Sequence, residues 1–347
     1  MRFNAFEIRS IFSIVFLLLL CTVSFSVKAQ DDFDQFLEAG VEDANVLLQA
    51  YMEPLVDGVQ FGISNGWYNT AKPHKPFGID ITVTASAAFV PDEDLFYNFA
   101  DLNLTNVRLL NPSDGELPTF FGTDDESRTP EFELVDQPGI TFEGPLGINL
   151  EDEIGFTAIP VPMAQVGIGI FKNTDLKVRF IPEINFGTED EASFKMIGFG
   201  IMHDIKQHIP GLKLLPFDLS VFAGYTDVTT EIDLSGDLTN QGFTQVGVYD
   251  INSFTFQGII SKKFSVLTLY GAVGFNTVRT NLKLLGEYDI DDDGAVDLVD
   301  PIDLDFSAGG PRLTGGLRLK LAILTIHGDY TLQEYNTLTV GIGLSVR

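Results

Sequence analysis

The amino-acid sequence predicts an all-β membrane barrel of roughly twelve to fourteen antiparallel strands with an N-terminal amphipathic helix as plug or hatch. Three observations predict it. The first residues carry an export signal. After it, no segment offers the run of about eighteen apolar residues that a membrane-spanning helix needs. From residue 79 onward the hydrophobic period is 2, with one apolar and one small or polar face to each strand. The chain divides accordingly into a signal peptide (1–29), a helix and hatch segment (30–78) and a barrel (79–347).

Composition bounds the partners. The 347 residues include 49 acidic and 21 basic side chains, a formal net charge of -28. That balance excludes nucleic acid, whose phosphates require clustered Lys and Arg. With 45% apolar residues and 30 Phe, the chain is too hydrophobic for a disordered acidic tail. It must bury much apolar surface or present it to outer-membrane lipid.

Arg2 and Arg9 flank the start of an apolar run from Ile11 to Leu20, and Val27-Lys28-Ala29 offers a small-residue cleavage site before Gln30. Cys21 raises a lipoprotein alternative, but Leu20 stands where a lipobox has a small residue. Cleavage after Ala29 removes the only cysteine and leaves an exported chain with no disulfide framework.

Residues 32–55 read as a helix. Phe33, Phe36, Leu37, Val41, Ala44, Leu47, Leu48, Tyr51, Met52 and Leu55 repeat one face, Asp31 and Asp32 cap its start, and Pro54 marks its end. Beyond it the strands alternate. Leu338, Val340, Ile342, Leu344 and Val346 interleave with Thr337, Thr339, Gly341, Gly343 and Ser345. Similar runs fall near 79–90, 97–110, 163–172, 176–184, 192–203, 217–226, 254–260, 263–277, 279–290 and 313–332. The second face is mostly Gly, Thr, Ser, Asn and charge. A soluble sandwich, the alternative, needs an apolar second layer there. A lipid-facing barrel needs apolar outside and small or polar inside. With the export signal, this places the chain in the outer membrane of a Gram-negative cell, reached by the Sec pathway. Short turns such as Lys172-Asn173-Thr174 read as periplasmic, and the acidic loops 111–137, 229–242 and 287–303 as extracellular. The insert from His203 to Leu215 reads as a short helix between strands, and no internal repeat is present.

An amphipathic helix, then FGISNGWYNTAKPHKPFG (61–78), then a barrel resembles the arrangement of the fatty-acid transporter (FadL-like) outer-membrane family. The segments WYNTAKPHKPFGIDIT, GFGIMHDIKQHIPGLKLLPFDLSVFAGYT and DYTLQEYNTLTVGIGLSVR are similar to an uncharacterised group of exported proteins common in Bacteroidetes. The first resemblance implies an N-terminal hatch inside the barrel and a hydrophobic ligand that passes through a side opening. The asparagine-proline-alanine signature often found in that hatch is Asn69-Thr70-Ala71 here, and the chain ends in Arg347 rather than an aromatic. The functional expectation is passage or uptake of a hydrophobic or small ligand through a plugged barrel. The alternative is a structural or accessory barrel, a surface scaffold or a partner of a secretion or motility complex.

Catalytic chemistry is sparse, and the chain reads as a non-enzyme. H-E-x-x-H, P-loop and paired-cysteine motifs are missing from the sequence. Of four histidines, His203 and His208 have a poor spacing for zinc and flank a proline turn, where a capping role is the plainer reading. A barrel lipase would need a Ser–His pair, which spacing alone does not decide for His74 or His327. Trp67, Tyr68 and Phe77 are candidates to line an apolar ligand path, or to pack where hatch meets wall. No cofactor is required. Calcium is the candidate ion: in YDIDDDGAVDLVDP, residues Asp289, Asp291, Asp293, Ala295 (through its carbonyl), Asp297 and Asp300 match EF-hand ligand positions, with Gly294 at the sixth. Asp in place of Glu at the last position weakens the match, and a solvated acidic hairpin tip is the other reading.

Overall fold

The structure, a computed structural model, describes residues 40–186, 192–233, 245–288 and 296–346. In chain order these form helix α1 (Val41–Ile63), strand β1 (Ile79–Phe89), five short strands β2 (Phe96–Asn98), β3 (Val107–Asn111), β4 (Glu116–Pro118), β5 (Glu131–Leu134) and β6 (Thr141–Glu143), and a short helix α2 (Leu150–Ile154). Then follow β7 (Ala158–Ile170), β8 (Thr174–Phe186), β9 (Ala192–Asp204), β10 (Asp218–Asp233), β11 (Gln245–Phe264), β12 (Leu267–Tyr288), β13 (Leu298–Val299), β14 (Ile302–Leu321), β15 (Leu324–Leu332) and β16 (Thr337–Val346).

Among the described residues, β1, β7–β12 and β14–β16 pair in antiparallel order and close on themselves through β1 and β16, Ile79 opposite Val346. The wall therefore has ten strands, with β13 as a small addition on β12, not the twelve to fourteen expected. Periodicity overcounts for two reasons. The alternation near 97–110 belongs to a cap outside the wall. The runs 263–277 and 279–290 are largely one 22-residue strand, β12, longer than the 9–11 residues or so that a membrane crossing takes.

Alternation sets the wall's two faces. On β16, Leu338, Val340, Ile342, Leu344 and Val346 are exposed outward, while Thr337, Thr339 and Ser345 are buried inward. The same outward belt runs through Ile326 and Tyr330, Leu313 and Leu317, Val273 and Phe275, Phe254 and Phe256, and Phe199 and Ile201. Toward the end with long connections the outward residues change to Asp227, Asn252, Arg279, Asp303 and Asp305, so β10–β12 and β14 rise beyond the apolar belt. At the opposite end, β7–β8, β11–β12 and β14–β15 turn within three residues or fewer. The insert after β9 holds two 3-10 turns, Lys206–His208 and Leu212–Leu214, rather than one helix.

Residues 90–157, between β1 and β7, build a cap over the long-connection end. It contains the pair β2–β4 and the small sheet β3–β5–β6. Phe132 and Phe142 of the cap, Leu47 and Leu48 of α1, and Tyr288, Ile302, Leu304 and Phe306 of the wall share one apolar cluster. Burying side chains of this size stabilises by about 1.5–3 kcal/mol each. Helix α1 runs nine residues past Pro54, the expected end, because burial on several faces overrides the lost N–H. Its predicted first turns, before residue 40, lie outside the described residues. Gly58 and Gly62 set the depth of the helix against the wall, since a Cβ on either would overlap Ile159 or Val161 of β7.

Candidate functional site

The lumen is the only interior a barrel offers, and here α1 and the strap that follows it occupy it. Their contacts descend in order. Asn45 Nδ2 donates to Pro301 O (3.2 Å) and Gln49 Nε2 to Asp305 O (3.4 Å), above the belt. Gln60 Nε2 donates to Thr280 Oγ1 at 2.6 Å. Ser64 Oγ lies 3.0 Å from Ser253 Oγ. Ser220 Oγ donates to Ala71 O at 2.6 Å, and Phe77 N to Gly169 O at 2.8 Å near the short turns.

Two environments meet along this path. Above, the inward residues include Ile159, Val161, Met163, Met196, Val228, Ile251 and Val278, packed with Phe61 and Ile63 of α1, with Thr280 and Ser253 bonded to the helix between them. Below, they include Asp80, Thr82, Asp175, Lys177, Arg179, Thr314, Arg318, Thr325, His327 and Ser345, all buried, beside an apolar cluster of Met202, Phe222, Ile259, Tyr270 and Ala272 around Trp67 and Tyr68. The boundary is held by two guanidinium groups. Arg179, fully buried, donates to Ile63 O at 2.7 Å and to Asn65 O, and lies over the Trp67 ring at 3.6 Å. Arg312 donates to Ser64 O at 3.0 Å and to Asn65 Oδ1. The unpaired carbonyls at a helix C-terminus suit such cations.

Below this clamp the strap is latched. Asp175 accepts from the His74 backbone N–H at 2.7 Å and lies 2.9 Å from His74 Nδ1. His74 Nε2 is 3.2 Å from Ser345 Oγ, to which Lys320 Nζ donates at 2.9 Å. This Asp–His–Ser row has the spacing of a hydrolytic triad. Its surroundings differ: Ser345 is 2% exposed, and the adjoining cavity, lined by Tyr68, Asp80, Lys177 and Arg318 among others, has room for little beyond a water molecule. The row fastens the strap to β8 and β16.

At the upper mouth, Glu53 and Asp57 of α1 face Asp94 and Glu334. Burial, then the charges of Glu53, Glu334 and Asp94, push the Asp57 carboxyl up to about 8. Burial raises Glu53 as well. Tyr335 donates to Asp94 Oδ2 at 2.6 Å and stacks on Phe61 at 5.4 Å.

Among the described residues, the wall is incomplete between β7 and β8. β7 and β8 pair over six residues, from Gln165 opposite Arg179 to Ile170 opposite Thr174. Above that level residues 158–164 and 180–186 share no pairing, although β7 still pairs with β1 and β8 with β9. Proline explains half of this seam. The ladder to β1 passes through Pro160 and Pro162 without a register shift, which a proline allows only where its N–H would point away from the partner. N–H direction alternates along a strand, so both prolines turn a donorless edge to β8. On β8, Pro182 lies in a register shift between Ile181 and Ile184. Gln165, at the seam's foot, donates to Trp67 O at 3.3 Å.

The predicted site residues separate. Trp67 (2% exposed) and Tyr68 (6%) are buried together against Phe222, whereas Phe77 is 71% exposed beside Phe171 near the short turns. Asp289, Asp291, Asp293 and Ala295 lie outside the described residues. Of the other two calcium candidates, Asp297 N donates to Tyr288 O at 2.8 Å, and Asp300 Oδ1 accepts from Gly286 N at 2.7 Å. His203 stacks on His208 with Nε2 atoms 3.0 Å apart and contacts Thr174 Oγ1 at 2.7 Å, a local packing role. Sequence reasoning missed Arg179, Arg312 and the seam. Only the prolines in β7 and β8 signalled the last.

A closed antiparallel wall with an apolar outer belt and a filled lumen defines an outer-membrane type β-barrel. Within that class, the chain belongs to a family of unknown function (DUF6588), which it matches over residues 8–346. No curated protein matches it by sequence. Solved structures with a similar fold include the attachment invasion locus protein Ail of Yersinia pestis (8% identity, 78% of this chain, 98% of that one, TM-score 0.27). Others are the translocator domain of the autotransporter NalP from Neisseria meningitidis (9% identity, 89% and 96% covered, TM-score 0.33) and the ferric citrate transporter FecA (10%, 78% and 39%, TM-score 0.25).

Proposed function

We propose that this protein resides in the outer membrane of a Gram-negative cell, delivered there through its N-terminal export signal. There it exchanges a small apolar ligand sideways, through the seam between β7 and β8, with the apolar upper interior. The seam is the observation that carries the reading. Its foot lies within the outward belt of Pro162, Ala164 and Val166, and behind it stand Ile159, Val161 and Met163, not the charges of the lower lumen. A hydrophobic molecule needs such an apolar route, because the lower interior would desolvate Asp, Lys and Arg against it. The ligand class also agrees with the fatty-acid transporter likeness of the N-terminal segment.

The test locks the seam. Ala164→Cys with Phe180→Cys, joined by a short thiol crosslinker, should abolish uptake of a fluorescent long-chain acyl probe by cells producing the protein. The uncrosslinked double variant should retain it. Equal uptake by the locked and unlocked forms would overturn the lateral route. A second reading, a non-transporting accessory or scaffold barrel, is favoured by the strap that fills the lower lumen; it predicts no probe uptake in either form.

A further inference from the structure

We propose that the lumen segment is threaded from outside to inside, so that the N-terminal end of α1 is presented on the outer surface of the cell. This rests on the outer-membrane reading and adds a direction to it. Three observations carry it. Contacts of α1 and its strap pass down the wall without reversal, from Pro301 and Asp305 at the long-connection end, through Thr280 and Ser253, to Asp175, Ser345 and Gly169 at the short-turn end. Asp43, in the first turn, accepts from the N–H groups of Thr105 (3.1 Å) and Asn106 (2.7 Å) of the cap, so the helix start is fixed to the structure above the belt. Outer-membrane barrels set short turns toward the periplasm and long connections outside.

The consequence is topological. Ten wall strands return the chain to the side where β1 began, and β1 begins at the short-turn end. The lumen segment adds one further crossing. Val41, Glu42 and Asp43 therefore stand on the opposite side of the membrane from Val346. The start of α1 thus stands outside the cell, and the barrel anchors it. The anchoring is firm: the Arg179 and Arg312 clamp and the His74 latch hold the segment below, and the cap holds it above.

Single-cysteine labelling tests this, because the wild-type chain has one cysteine, Cys21 in the leader, and serves as background. Glu42→Cys, Asp136→Cys in the cap and Lys213→Cys in the β9–β10 connection are all at exposed positions. A membrane-impermeant maleimide on intact cells should label Glu42→Cys and Asp136→Cys, and Lys213→Cys only after permeabilisation. Each variant is first checked for the folded band on unheated gels. Labelling of Glu42→Cys only after permeabilisation, with Asp136→Cys labelled on intact cells, would overturn the threading. Labelling of Lys213→Cys alone on intact cells would overturn the orientation. Neither outcome depends on a ligand, so both are separable from failure of the lateral route.

Discussion

The upper and lower halves of this barrel solve the same problem differently. Both must fill a lumen too wide for the wall's own side chains. The upper half fills it with a helix and apolar packing, Phe61 and Ile63 against Val161, Met163 and Val278. The lower half fills it with an extended strap whose Trp67 and Tyr68 pack on Phe222, and fixes that strap by directional bonds, Arg179 to Ile63 O, Ser220 to Ala71 O and Asp175 to His74. Apolar packing is non-directional and tolerates a neighbour that shifts. A buried charged network does not, because each lost partner leaves a desolvated group. The wall agrees with its filling: β7 and β8 are paired beside the polar half and unpaired beside the apolar half.

Variants can break this comparison, beginning with the largest expected effect. Trp67→Ala removes the ring that Arg179 covers and that sits against Phe222, and should cost roughly 3–5 kcal/mol, read as an earlier loss of the folded gel band on heating. Gly62→Leu drives a side chain into Val161 and should cost about 1–3 kcal/mol. Limited proteolysis should show that loss in α1 and the cap, with the strap still protected. Asp57 gives a pH signature. Its carboxyl is pushed up to about 8 in the folded state, from an ordinary 3.8, so the folded state holds a proton that the unfolded chain has released between those values. Stability is then greatest at low pH and falls as pH rises toward 8. Asp57→Asn should flatten that slope, a difference on the order of 1–2 kcal/mol between pH 5 and 8 in urea melts, given the solvent at the mouth. Phe77→Ala, at an exposed position, should change the melting by less than about 0.5 kcal/mol. A loss there as large as at Trp67 would mean that the strap's two ends are equally buried.

Much of the fold was legible in the sequence. Two-residue alternation sorted Leu338 to Val346 onto the lipid side, and helical spacing picked Ala44, Leu47, Leu48 and Tyr51, all of them core residues. What escaped has one physical cause: a local period reports which face a residue occupies but not its height along the barrel or its partner. Val107 to Leu110 alternate like wall residues yet belong to the cap. Trp67 and Phe77 lie ten residues apart in one aromatic segment, yet one is sealed in the lumen and the other is exposed. Arg179 and Lys177 look like ordinary polar-face residues, and only tertiary structure sets Arg179 against a helix end. The seam was half-written in Pro160, Pro162 and Pro182, since proline in a strand means an edge; which edge depends on a ladder that no single strand specifies.

The wall is paired between β7 and β8 beside the charged half and unpaired beside the apolar half. Amide hydrogen exchange along β8 in detergent measures this directly. Amides of residues 174–179 should exchange as slowly as those of β16, while the seam-facing amides of residues 180–186 should exchange much faster. Uniform protection along the whole of β8 would contradict it.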